Sequence, residues 1–109
     1  MSLRVRVLTV FPGLVEAALS EGMVRIAREC GALDLRAIDI RDFTTDVHRT
    51  TDDAPYGGGA GMVMKVEPVF AAVETVLGPS PDCPVILLTP QGRVFDQRMA
   101  MELAAQPRL

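Results

Sequence analysis

The stretch Val85-Ile86-Leu87-Leu88-Thr89-Pro90-Gln91-Gly92-Arg93 decides the fold class of this chain. Four consecutive apolar residues without alternation, closed by a Thr-Pro-Gln-Gly break, have the pattern of an interior strand of a parallel sheet, covered on both faces. Downstream, Asp96 is placed to cap a helix carrying Met99, Leu103 and Ala104, after which the chain reaches Leu109. Upstream, Gly-Pro-Ser-Pro-Asp-Cys-Pro (78–84) is a turn-rich connector. Before it, Glu67-Pro68 predicts a helix start with Pro at the first helical position. Val69, Phe70, Val73, Val76 and Leu77 form its apolar face and Gly78 its end.

The amino-terminal part repeats the alternation of strand and helix. Val5, Val7, Thr9 and Phe11 alternate with Arg4, Arg6, Leu8 and Val10, which predicts a buried first strand ended by Pro12-Gly13. Leu14, Val15, Ala18 and Leu19 then make a helical stripe. Ser20 is placed to cap a second helix with Met23, Ile26 and Ala27 inward and Gly31 as a left-handed stop. Leu33 to Ile40 alternates again and predicts a second strand, whereas residues 41–65 lose all periodicity. The expected fold class is α/β, a mostly parallel sheet with flanking helices. Its open apolar edge makes the architecture look unfinished.

Composition narrows the function classes. At 109 residues the chain has the size of one domain, and about half its residues are apolar without a single Trp. A net charge of −3 argues against a freestanding nucleic-acid binder, because Lys and Arg normally supply most of the phosphate affinity. All basic residues but Lys65 are Arg, a usage that suits bidentate anion contacts and equally follows GC-rich coding. Cys30 and Cys83 lie far apart without CxxC or His neighbours, so free cytosolic thiols are expected, and neither a metal site nor a disulfide. No run is long enough to span a bilayer and no signal peptide precedes the first strand, so no membrane partner and a cytoplasmic location are expected.

Three segments can carry chemistry. Gly57, Gly58, Gly59 and Gly61 remove Cβ atoms from one short loop, which permits positive φ and close approach of a ligand, or makes a simple flexible turn. It is neither a P-loop nor a GxGxxG turn. Just upstream, Asp46, His48, Arg49, Asp52 and Asp53 crowd one loop. A carboxylate there can accept from the N1–H and exocyclic amine of guanine and an Arg can hold phosphate, while the plainer reading is turn chemistry and a solvent-facing His48. The Thr89-Pro90-Gln91-Gly92 break sits where open α/β sheets bind ligands, and it is also an ordinary turn sequence. No Ser-His-Asp or Cys-His triad assembles, and no catalytic residue is assigned.

Taken in order and spacing, LTVFPG (8–13), RDFTTDVHRTTDDAPYGGGAGMVMKVEPVF (41–70) and VILLTPQGRVFDQ (85–97) closely resemble the bacterial tRNA (guanine-N1)-methyltransferase family. The resemblance covers nearly the whole chain. It implies a SPOUT-type domain with a deep trefoil knot, a bent S-adenosylmethionine cofactor inside the knot, a homodimer with active sites at the subunit interface, and a tRNA substrate with guanine 3′ of the anticodon. It matches Leu87, Leu88, Thr89 and Pro90 to the first knot loop, which meets the adenosine mainly through backbone, with Gln91 and Gly92 completing the motif. It matches Asp52 and Gly57 to positions near the target guanine, with Gly58, Gly59 and Gly61 shaping that wall.

In that family the base is an Asp in a domain linker, helped by an Arg, and later glycine-rich loops finish the cofactor pocket; no residue up to Leu109 matches those segments. Residues 1–109 therefore read as the amino-terminal part of an incomplete, S-adenosylmethionine-dependent methyltransferase domain, inactive alone, with Asp52 a binding residue and not the general base. The competing readings are a non-catalytic module that binds an anion or partner through the glycine loop, and another knotted methyltransferase or nucleotide-binding protein that shares the layout but not the substrate. All of this expects the strand end at Thr89 and the bend at Gly57 to form two walls of one cleft.

Overall fold

The computed structural model describes residues 2–55, 57–79 and 82–109; Tyr56 and the Ser80-Pro81 part of the predicted connector lie outside the described residues. Strand β1 (Leu3–Thr9) is followed by α1 (Pro12–Ala18), α2 (Gly22–Glu29) and β2 (Leu33–Asp39). β1 and β2 pair in parallel from Leu3 opposite Leu33 to Thr9 opposite Asp39, so both strands end at the same edge. The helices between them make the crossover that parallel pairing requires. A 3-10 turn (Ile40–Phe43) then leads to a short antiparallel hairpin, β3 (Asp52–Asp53) with β4 (Val63–Met64), and to α3 (Val66–Leu77) and α4 (Gln97–Ala104).

The region expected to be featureless between 41 and 65 thus contains a helical turn and a hairpin. Both are too short to produce a periodic signal. Other expectations shift for local reasons. Ser20 does not cap α2: its hydroxyl donates to the Glu16 carbonyl, and Glu21 takes the N-cap position without a side-chain bond. Pro68 sits two residues inside α3, because Lys65 is the N-cap. Gly31 and Gly78 do end their helices with positive φ (81° and 80°), and Asp96 caps α4 by accepting from Met99 N–H at 2.9 Å.

The core is small. Leu35, Ile40 and Ala72 are buried, with Pro68 and Thr51 beside them. α3 packs on the 3-10 turn and on β1, and α1 and α2 pack on β2. Met23 and Ile26, expected inward, are exposed, whereas Ala27 is half-buried as expected, together with Val24 and Arg28. Phe70 is exposed as well, because Pro68 and Ala72 supply the buried face of α3. β1 is half-buried where full burial was expected. The Cα radius of gyration is 15.8 Å, against about 13 Å for a compact domain of this length. The chain is therefore less compact than a closed domain of its length.

The largest difference concerns residues 85–88. They form no strand, and Val85, Leu87 and Leu88 are 65–89% exposed. The other edge of β1 is taken by the chain end instead. Arg4 N–H donates to Pro107 at 3.1 Å, Leu109 N–H to Arg4 at 2.8 Å and Arg6 N–H to Leu109 at 3.1 Å. Arg108 anchors that segment through Asp82 (2.9 Å) and the Leu77 carbonyl (3.3 Å). Apolarity predicts that a run wants cover, but it does not say which edge is free to provide it.

Glu16 joins α1 to the sheet. One carboxylate oxygen accepts from Ala37 N–H on the outer edge of β2 at 3.2 Å, and the other from Arg28 at 3.1 Å. Capping an edge N–H in this way also blocks further strand addition there. The Ala37 N–H, and then Arg28, hold the Glu16 carboxyl below its ordinary value of 4.5. Arg6 does the same for Asp34, whose ordinary value is 3.8. Depressed carboxylates contribute stability that is fully present above those ordinary values and is lost as pH falls through the lower, folded-state ones. The thermal midpoint, followed by circular dichroism, is therefore expected to stay flat from neutral pH down to about 5 and to fall below 4.5. Glu16→Gln lowers the plateau and weakens the fall; an unchanged acid profile in that variant contradicts the assignment.

Candidate cofactor and nucleic-acid site

Thr9 and Asp39 mark the carboxyl edge of the parallel pair, where ligands of open α/β sheets bind. The 3-10 turn and the loop after β2 grow from that edge, and Asp39 starts them by accepting from Arg41 N–H at 2.9 Å. Thr51, 1% exposed, plugs the loop into the core, and its carbonyl accepts from Lys65 N–H at 2.6 Å. Its hydroxyl is buried without a hydrogen-bond partner. Asp52 follows at once, opposite Met64 in the hairpin and half-buried.

The glycines form the tip of the same hairpin. Gly58 N–H donates to the Pro55 carbonyl at 3.2 Å, and Gly57, Gly58, Gly59 and Gly61 have φ of 76°, 83°, 114° and 85°. Only glycine adopts such a run cheaply. A Cβ placed on any of the four meets nothing within 4 Å. The glycines are there for backbone conformation and for the open space in front of them, not for internal packing. The structure therefore joins a half-buried Asp52 and the four exposed glycines in one hairpin whose pairing the sequence did not reveal.

The second segment is a turn. Gly92 N–H donates to the Thr89 carbonyl at 3.1 Å and Gln91 N–H to the Thr89 hydroxyl at 3.3 Å, with Pro90 at the second position that turns of this kind favour. A Cβ on Gly92 would stand 3.4 Å from the Thr89 oxygen, an ordinary van der Waals contact. Leu87, Leu88, Thr89, Pro90, Gln91 and Gly92 are all exposed, and none of them has a hydrogen-bonded contact with the hairpin among the described residues. Among the described residues, a depression lined by Leu3, Ala27, Leu33 and Ala104 and another lined by Arg93, Asp96, Arg98 and Glu102 include neither segment.

The loop residues divide by role. Asp46 accepts from Thr50 N–H at 2.9 and 3.1 Å, and hydrogen bonds from Thr50 hold its carboxyl below the ordinary range. That is the turn chemistry expected of Asp. His48 is exposed. Arg49, a candidate to hold phosphate, is instead engaged at home with Asp39, Asp42 and the Arg41 carbonyl. No group of three or more His, Cys, Asp or Glu among the described residues could hold a metal ion, and no helix among them is long and apolar enough to cross a membrane.

Parallel strands linked by helices, with a glycine-rich hairpin after their carboxyl edge, define the class: an α/β protein. Within that class, the chain belongs to the tRNA (guanine-1)-methyltransferase TrmD family, whose model matches residues 3–109. It is 50% identical over 107 residues to a tRNA (guanine-N(1)-)-methyltransferase of Geobacillus kaustophilus, covering 98% of this chain and 44% of that protein. Its identity to the enzyme of the same name from Geobacter metallireducens is 52% over 100 residues, covering 92% of this chain and 41% of that protein. The crystal structure of the tRNA (m1G37) methyltransferase from Aquifex aeolicus superposes with a TM-score of 0.86 at 33% identity, over all of this chain and 49% of that one. The chain thus spans less than half the length of the relatives it matches and carries part of their fold.

Proposed function

We propose that this chain supplies the amino-terminal part of an enzyme that transfers a methyl group from S-adenosylmethionine to N1 of the guanine 3′ of the anticodon in tRNA. In this reading residues 1–109 belong to the cofactor domain, the enzyme is a cytoplasmic homodimer, and the remaining fold and a tRNA-gripping domain lie in further polypeptide. The observation that carries it is the family match over residues 3–109, which includes both the Leu87–Gly92 turn and the glycine hairpin.

The residues fit the cofactor as one wall of its site. Residues 85–88 keep backbone donors and acceptors outside any ladder, beside exposed Leu87 and Leu88. An adenosine needs that combination, apolar cover for its faces and hydrogen-bonding groups for its edge. The cofactor, when bound, supplies an electrophilic methyl on a sulfonium. This chain holds the adenosine at Leu87, Leu88, Thr89 and Pro90, with the closed turn at Gln91 and Gly92 fixing their direction. Asp52 accepts from the guanine edge, and Gly57, Gly58, Gly59 and Gly61 let the base approach the backbone closely. Uptake of the N1 proton falls to a base outside these residues, and the placing of N1 in line with the methyl is a matter of positioning.

Calorimetry and methyl-transfer assays test this. A full-length protein carrying this chain is expected to bind S-adenosylmethionine and to methylate tRNA with guanine, not adenine, after the anticodon. The 109-residue chain is expected to bind the cofactor weakly or not at all. Tight stoichiometric binding by the short chain overturns the shared-site reading, and indifference to the guanine overturns the substrate.

A further inference from the structure

Arg49 is the one non-glycine residue among the described residues with positive φ, at 52°. L residues avoid this region because Cβ crowds the carbonyl oxygen, so they stay there only where surrounding contacts impose it. Those contacts are present. Arg49 Nε donates to the Arg41 carbonyl at 3.3 Å, and its Nη2 donates to Asp39 at 3.5 Å and to Asp42. In return, Arg41 Nη1 donates to the Arg49 carbonyl at 3.4 Å. Asp39 is the last residue of β2 and also caps the 3-10 turn.

The residues on either side of Arg49 differ sharply. Residues 45–48 face solvent, with Val47 95% exposed. Beyond it, Thr50 is tied to Asp46, Thr51 is buried, and Asp52 enters the hairpin. Arg49 stands between an exposed turn at 46–48, which its own N–H closes by donating to the Asp46 carbonyl at 3.1 Å, and the buried Thr51, three residues before Asp52. We infer that Arg49 is a positioning residue: it latches the loop to the acidic end of β2 and so sets where Asp52 and the glycine hairpin stand. This rests on the functional reading above for its consequence in methyl transfer, though not for the latch itself. The plainer alternative is an ordinary surface ion pair, which is worth little and does not require a left-handed backbone.

The test uses Arg49→Ala, Arg49→Lys and the Asp39→Asn/Asp42→Asn pair, in this chain and in the full-length protein. Amide exchange at residues 50–53 and 63–65 is expected to rise about tenfold in Arg49→Ala while the sheet amides of β1 and β2 stay protected. Arg49→Lys, which keeps the charge without the planar fork, recovers part of that protection. In the Asp39→Asn/Asp42→Asn background, Arg49→Ala adds little. In the full-length protein kcat falls about tenfold with the Kd for S-adenosylmethionine unchanged, because the donor segment lies elsewhere in the chain. Unchanged exchange in Arg49→Ala overturns the latch. So does a loss confined to tRNA affinity with a shallower salt dependence, which marks a phosphate contact instead. Raised exchange in a protein whose unmodified form transfers no methyl group leaves the latch standing and removes the functional reading.

Discussion

Replacing Gly57, Gly58 and Gly59 together by Ala is expected to leave the thermal midpoint nearly unchanged and to lower kcat/KM for tRNA methylation in the full-length protein by about 100-fold or more. The three residues hold φ of 76°, 83° and 114°. An L side chain costs roughly 1–2 kcal/mol at each left-handed position, so keeping the loop shape would cost about 3–6 kcal/mol in total. No added Cβ meets another atom within 4 Å, and the tip is exposed. The strain is therefore released by reshaping the tip, not by unfolding the core around Leu35, Ile40 and Ala72. The reshaped tip no longer presents the same surface to the base, and small misplacements are expensive for an in-line transfer. Thermal melts and steady-state kinetics separate the two effects. Full activity in the triple variant would show that the open space before the glycines holds no substrate.

The second large effect is expected at Leu87 and Leu88, 82% and 89% exposed and followed closely by exposed Val94 and Phe95. Covering an apolar side chain of this size is worth about 1.5–3 kcal/mol, and contiguous exposed apolar patches mark association surfaces. The 109-residue chain is therefore expected to self-associate with rising concentration in size-exclusion chromatography with light scattering. Leu87→Ser/Leu88→Ser is expected to shift it to monomer without lowering its melting temperature, since neither side chain is in the core. In the full-length protein the same pair is expected to weaken S-adenosylmethionine binding about tenfold or more, from the lost apolar contact alone. A chain that is monomeric before substitution, or a full-length variant with unaltered cofactor affinity, counts against the role given to this segment. Association of the unmodified chain without any cofactor affinity in the full-length protein would favour the interaction-module reading instead.

Much of the fold was legible residue by residue. Alternation over Arg4–Phe11 and Leu33–Ile40 marked both strands of the parallel pair, which run Leu3–Thr9 and Leu33–Asp39, and Gly31, Gly78 and Asp96 marked helix ends through backbone conformation or capping chemistry that is local. The site was legible as composition only. Four glycines and a run of Asp signalled a special loop, but nothing in that run announced that Asp52 pairs opposite Met64 or that Thr51 is buried. Arg49 showed its charge and hid its use, because its partners Asp39 and Asp42 lie seven to ten residues earlier, on the far side of a turn.

The sequence by itself determined the α/β class, the parallel pairing of two strands through helices, the family and the identity of the two candidate loops. Each of these depends on short-range periodicity, on residue-specific backbone freedom or on motif order. Only the tertiary structure decided that Pro107–Leu109 and not Val85–Leu88 lies beside β1, that Met23, Ile26 and Phe70 face outward, and that Arg49 is held between two carboxylates. Hydrophobicity states that a segment gains by being covered, whereas which edge, helix face or carboxylate meets it is a competition among distant segments. That competition is settled only when all of them are packed together.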